Sequence, residues 1–125
     1  MVAGFPNMYL PTGPGSPSVL SNMHVSIEQH VGFIRDLLAH MRKVGLDVVE
    51  AAPEAAAAWA NHVDDIAGQT VYKSCNSWYR GLNISGKPLM FTAYFGVPPY
   101  AAECDEVATS GYTGLKMGTV QANQA

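Results

Sequence analysis

Gly13-Pro14-Gly15-Ser16-Pro17-Ser18-Val19-Leu20-Ser21-Asn22-Met23 is the stretch on which the reading of this chain turns. Two glycines and two prolines among its first five residues cannot continue a helix or a central strand, so the backbone here is a shaped loop. Before it, Asn7 to Thr12 reads as a short strand. Behind it, Ile27, Val31, Ile34, Leu38 and Met41 recur at spacings of four and three, which predicts an amphipathic helix from about Met23 to Val44. Phe33 and Leu37 widen that face. Ser21 and Asn22 suit the N-cap, Arg42 and Lys43 complement the dipole at the far end, and Gly45 is placed to terminate the helix.

A strand, a Gly/Pro loop and a helix N-terminus together aim unpaired N–H groups and about half a positive charge at whatever lies beyond the loop. A phosphate, a carboxylate or an electron-rich carbonyl oxygen suits that position. Spacing alone equally allows an ordinary strand-to-helix connection with water on those N–H groups. No Gly-Lys-Ser/Thr follows, so this is not a Walker A loop. Ser18 stands where Gly-x-Gly-x-x-Gly needs its third glycine, and no Gly-x-Ser-x-Gly nucleophile elbow occurs.

With 125 residues the chain is one domain's worth and can bury a modest core. Its net charge of −3 gives no basic footprint for nucleic acid. A charged fraction of 14% is low for a free-standing surface. No apolar run approaches a membrane span, and no signal-peptide pattern opens the sequence, which makes a cytoplasmic protein the expectation. Cys75 and Cys104 fit reduced thiols. His24, His30, His40 and His62 lack His-x-x-x-His or Cys-x-x-Cys companions, so no metal site is expected.

Further along, Leu46-Asp47-Val48-Val49-Glu50 alternates as a second short strand. Pro53 and Glu54 suit the first turn of a second helix, with Trp59, Val63 and Ile66 on its apolar face and Gly68 at its end. Asp64 and Asp65 lie near that end, where the dipole disfavours them. Leu89 to Phe95 is the best strand candidate. Pro98 and Pro99 open a third helix, on which Tyr100, Cys104, Val107 and Ala108 share a face. The fold class expected is therefore α/β, mixed and helix-rich, with about three helices and three short strands. A complete doubly wound domain needs more sequence than this.

Several motifs in register resemble one family. Gly4-Phe5-Pro6-Asn7, Gly13-Pro14-Gly15-Ser16-Pro17, Ser21-Asn22-Met23 and Ser26-Ile27-Glu28-Gln29-His30 are similar to the Baeyer–Villiger flavin monooxygenases, nearest to their phenylacetone and steroid branch. Ser77-Trp78-Tyr79, Gly81-x-Asn83, Gly86-Lys87-Pro88, Cys104-Asp105-Glu106-Val107 and Gly111-Tyr112 agree. The resemblance covers residues from about 3 to about 115 and only about the last quarter of the family's chain. It implies that residues 1–117 are the C-terminal segment of a fold with two dinucleotide-binding domains, followed by a flexible tail at 118–125. The two glycine fingerprints and the catalytic arginine belong upstream, so no catalytic residue is expected here.

The resemblance further implies an FAD- and NADPH-dependent enzyme that inserts oxygen into ketones to give esters or lactones. On residue type alone, Met23 is a gap-filling core methionine and Trp78 a half-buried packing residue. The resemblance instead implies that Asn22 and Met23 lie against FAD, Met23 through its backbone, and that Trp78 clamps the NADP nucleotide. It places Pro17, Ser18, Val19 and Leu20 on the wall of the substrate pocket. The partners implied are the nucleotide-binding domains and a ketone, with no nucleic acid and no membrane. Without a pyrophosphate loop, the chain alone is expected to retain neither cofactor and to be inactive. A different reading is a non-catalytic self-associating or ligand-binding domain. Either way, apolar helix faces left without cover predict a homo-oligomer for the isolated chain.

Overall fold

A computed structural model describes residues 1–17, 21–74, 78–86 and 91–120. Three helices carry the architecture: α1 (Met23–Val44), α2 (Pro53–Ala67) and α3 (Val97–Thr109). Two four-residue strands, β1 (Val48–Ala51) and β2 (Leu115–Gly118), pair antiparallel with Val49 opposite Met117 and Ala51 opposite Leu115. The expected helix-rich mixed class holds, and all three expected helices form.

Each helix boundary has a local cause. Asn22 accepts from the His24 N–H through its side chain and caps α1. At the other end Gly45 takes φ 75°, and the Leu46 N–H reaches back to the Met41 carbonyl at 2.9 Å, closing a left-handed C-cap beside Arg42 and Lys43. Pro53 occupies the first turn of α2, where its missing N–H costs nothing. Asp64, expected to weaken the end of α2, instead accepts the Phe91 N–H at 2.7 Å, so the carboxylate anchors the following segment against the helix.

The strands differ from expectation. Asn7 to Thr12 is not a strand, because Asn7 and Thr12 both adopt positive φ (57° and 54°) and break the extended run. Asn7 nonetheless adds to the edge of β1: its N–H donates to the Val49 carbonyl at 2.8 Å, and its side-chain oxygen accepts the Val49 N–H at 3.0 Å. Leu89 to Phe95 contributes, among the described residues, a single parallel bridge between Ala93 and Ser16; residues 87–90 lie outside them. β2 was not expected at all. The strand runs to Gly118, and beyond it the Val120 N–H donates to Asp47 Oδ1 at 2.7 Å; residues 121–125 of the expected tail lie outside the described residues.

Leu37, Met41, Val49 and Tyr112 form one buried cluster, with Tyr9, Phe33, Leu46, Val107 and Leu115 packed around it. A second gathers Ala67, Phe91 and Ala93 with Tyr72, Tyr79 and Phe95. The buried side of α1 is therefore Ser26, His30, Leu37 and Met41, rotated from the stripe read in the sequence. Of that stripe only Met41 is buried; Ile27 (40%), Val31 (53%) and Leu38 (44%) stand exposed in a row. Replacing fully buried Leu37 by Ala is expected to cost about 2–5 kcal/mol in chemical denaturation, against less than about 0.5 kcal/mol for Leu38→Ala on the exposed side.

Candidate functional site

The loop ahead of α1 is built so that only glycine fits twice. A Cβ on Gly13 would lie 2.7 Å from the Leu10 Cβ and 3.0 Å from its carbonyl oxygen. Gly15 takes φ 80°, and a Cβ there would meet Trp59 Nε1 at 2.9 Å. Backbone bonds fix the loop on its other side: the Gly15 N–H donates to the Thr92 carbonyl at 2.7 Å, and the Tyr94 N–H to the Ser16 carbonyl at 3.2 Å. Ser16 closes the turn through its hydroxyl on the Gly13 carbonyl at 2.7 Å, and both Ser16 and Pro17 are buried. Pro17 is thus fixed at the root of the segment expected to wall the substrate pocket; Ser18, Val19 and Leu20 lie outside the described residues.

Met23 begins α1, so the N–H groups of its first turn have no intrahelical acceptors. Asn22 takes only that of His24, and those of Met23 and Val25 find no hydrogen-bond acceptor among the described residues. No acidic side chain occupies this first turn to offset the positive end of the dipole. Asn22 is exposed and Met23 half-buried, so a group bearing an electron-rich oxygen can reach this end. The donor set fits the polar edge of an aromatic cofactor ring. The Asn22 side chain is already engaged as a cap, which leaves backbone N–H groups as the donors offered.

Trp78 stands at the start of a single 3-10 turn, Trp78–Arg80, and is 67% exposed. The half-buried packing role that residue type suggests does not hold. Its indole stacks on Tyr79 with ring centroids 4.0 Å apart, and Tyr79 stacks in turn on buried Phe91 at 5.6 Å. One indole face is thus braced from behind on the second core cluster, an arrangement able to receive a flat ring. Lys87 and Pro88 of the Gly86-Lys87-Pro88 motif lie outside the described residues.

Sequence reasoning passed over His30 and Trp59. The Thr12 N–H donates to His30 Nδ1 at 3.0 Å, so the neutral imidazole carries its proton on Nε2. The ring meets Tyr100 of α3 edge-on at 5.3 Å and borders a cavity of about 90 Å³ with Tyr9, Phe33 and Cys104. Cys104 is a free thiol raised above its ordinary value, chiefly by burial. Among the described residues no three His, Cys, Asp or Glu side chains converge as metal ligands. Trp59 sits on the apolar face read for α2 and His30 lies off the stripe read for α1, and only their long-range hydrogen bonds mark them out.

No family model matches the chain. It is 36% identical over 119 residues to acetone monooxygenase (methyl acetate-forming) of Gordonia sp. (strain TY-5), covering 94% of this chain and 22% of that protein. Cyclopentanone 1,2-monooxygenase of Comamonas sp. (strain NCIMB 9872) is 30% identical over 118 residues, with 94% and 22% covered. Among solved structures, oxidized steroid monooxygenase bound to NADP superposes with a TM-score of 0.82 at 36% identity, across 94% of this chain and 21% of that one.

His30 carries a pH consequence. Burial, with a smaller contribution from the Met1 ammonium, lowers its pKa from the ordinary 6.5. The unfolded chain therefore binds more protons than the folded one as pH drops beneath 6.5, and protonation at Nδ1 also opposes the Thr12 N–H. His30's contribution to stability is expected to be fully present above 6.5 and to be lost as pH falls from there toward the lowered pKa. His30→Asn, which can still accept from Thr12 but does not titrate, should have a shallower stability slope across that window in denaturation curves. By sequence and by fold, the relatives of this chain are Baeyer–Villiger monooxygenases, and it spans about a fifth of the length of the relatives it matches.

Proposed function

We propose that this chain serves as the C-terminal segment of an FAD- and NADPH-dependent Baeyer–Villiger monooxygenase, with residues 1–117 as its part of the monooxygenase fold. The reaction is oxygen insertion that turns a ketone into an ester or lactone. The observation that carries the proposal is the pairing of an uncompensated α1 N-terminus with an exposed, braced Trp78 on a fold shared at a TM-score of 0.82 with an NADP-bound relative. A cytoplasmic location belongs to the same reading, and the free Cys104 thiol suits it.

Bound FAD would supply the redox chemistry; the chain's residues supply position and electrostatics. The Met23 and Val25 N–H groups would donate to electron-rich oxygen at the cofactor's edge and favour negative charge there through the helix dipole. Pro17, buried beneath the loop, would hold Ser18, Val19 and Leu20 as the pocket wall. Trp78 would stack against the NADP nucleotide, with its N–H free to meet an amide or ribose oxygen. No side chain of this segment need move a proton, so the isolated chain is inactive in this reading.

The test is a chimera in which residues 1–117 replace the matching segment of the Gordonia acetone monooxygenase. It should hold flavin and oxidise NADPH in a ketone-dependent manner; a well-folded but colourless chimera contradicts the assignment. In that chimera Trp78→Ala should lower kcat/KM for NADPH by the equivalent of about 1–3 kcal/mol while flavin content stays constant. Unchanged NADPH kinetics would remove the clamp role from Trp78.

The exposed Ile27, Val31 and Leu38 row favours self-association of the isolated chain. Each such side chain left in water forgoes up to about 1.5–3 kcal/mol of burial. A two-fold pairing with a second copy is the simplest closed way to recover it. Sedimentation of the 125-residue chain at micromolar concentration is expected to show a dimer or larger species that Val31→Glu shifts toward monomer.

A further inference from the structure

Trp59 touches the glycine loop from α2. It projects from the second turn of α2, and its indole N–H donates to the Gly15 carbonyl at 2.9 Å across 44 residues of sequence. Its ring lies parallel to that of Tyr94, with an interplanar angle of 3° and centroids 5.5 Å apart. Tyr94 belongs to the segment whose backbone grips the same loop: its N–H donates to the Ser16 carbonyl, while the Thr92 carbonyl accepts the Gly15 N–H. Tyr100 of α3 closes the group, meeting Trp59 at 6.0 Å and Tyr94 at 5.5 Å, both edge-on. The two grips are therefore linked through stacked rings, and Gly15 is held by its N–H on one side and its carbonyl on the other.

We infer that Trp59 is the positioning residue of the Gly13–Pro17 loop, acting through its indole N–H on the Gly15 carbonyl. Three features set this apart from ordinary packing. The acceptor is a loop carbonyl outside regular structure, so no ladder would satisfy it if the indole left. The close approach of the ring is what bars any Cβ at Gly15, at 2.9 Å from Nε1, so loop sequence and indole position are mutually constrained. And the stack on Tyr94 fixes the ring plane, so the N–H direction is not free to wander. The functional consequence rests on the reading proposed above: a loop displaced at Gly15 would displace the pocket wall that follows Pro17. Trp59 would thereby bear on which ketones fit, without lining the pocket itself.

Hydrogen exchange followed residue by residue on the 125-residue chain tests this without cofactor or substrate. Its outcome is therefore separable from that of the monooxygenase proposal, which the chimera addresses. Trp59→Phe keeps an aromatic face for Tyr94 and removes only the donor. The Gly15 and Tyr94 amides should then exchange about tenfold faster or more, while core amides of α1 such as those of Leu37 and Met41 stay within about twofold. Equal acceleration everywhere would reduce Trp59 to a contributor to global stability, and no acceleration would show that the loop holds itself; either result overturns the inference. Should Trp59→Phe not fold, the unmodified chain still decides the matter. The Trp59 indole N–H should exchange at least about tenfold more slowly than that of Trp78, which is 67% exposed, and comparable rates would defeat the inference.

Discussion

Two backbone hydrogen bonds across a single parallel bridge hold the functional end of this structure together. Gly15 donates to Thr92 and Tyr94 donates to Ser16, and between them the Gly/Pro loop is tied to a segment nearly eighty residues later in the chain. Neither partner belongs to a regular strand, so no repeated ladder reinforces the junction. Its strength comes from neighbours instead: the Asp64 carboxylate takes the Phe91 N–H just ahead of the bridge, the Tyr79 carbonyl takes the Thr92 hydroxyl, and Trp59 covers Gly15. The cost of ordering an irregular loop is met by a set of unrelated side chains converging on it.

How much of this was legible in the sequence depends on the range of the interaction that decides each element. The helices were readable because their signals are local: Asn22 before Met23, Pro53 at the start of α2, Gly45 after Val44. Strand pairing was not, since β2 is a four-residue Leu-Lys-Met-Gly segment without a β-branched residue, defined wholly by register against β1. The 7–12 segment failed as a strand for a related reason. Asn7 satisfies β1 partly through its side-chain amide, an arrangement that leaves φ positive and that hydropathy patterns do not encode. At the candidate site, Asn22, Met23 and Trp78 were found through motif resemblance, whereas Trp59 and His30 reveal themselves only once their acceptor and donor, Gly15 and Thr12, are in place.

The rotation of α1 leaves part of its apolar surface without a neighbour among the described residues. Periodicity identified one broad apolar face running through Ile27, Val31, Leu37, Leu38 and Met41, wider than a single helix neighbour can cover. In the structure α3, β1 and the loop cover the Ser26–His30–Leu37–Met41 side, and Ile27, Val31 and Leu38 are left outward. A helix with two apolar sides is buried twice in a large protein.

The same geometry separates the two ends of α1 by task. Its N-terminus has no acidic residue in its first turn, and its Met23 and Val25 N–H groups find no acceptor among the described residues, because Asn22 caps with one side-chain oxygen on one donor. Its middle and C-terminal turns are immobilised by Leu37, Met41 and the Gly45 cap. A helix dipole aimed at a ligand is useful only if the helix cannot recoil from the charge it attracts. Buried side chains run along α1 from Ser26 to Met41, and His30, whose Nδ1 receives the Thr12 N–H, ties the helix to the loop. Rigidity is thus supplied by the core and delivered to the loop by side chains as well as by the backbone bonds at Gly15 and Tyr94: His30 reaches Thr12 from α1, and Trp59 reaches Gly15 from α2.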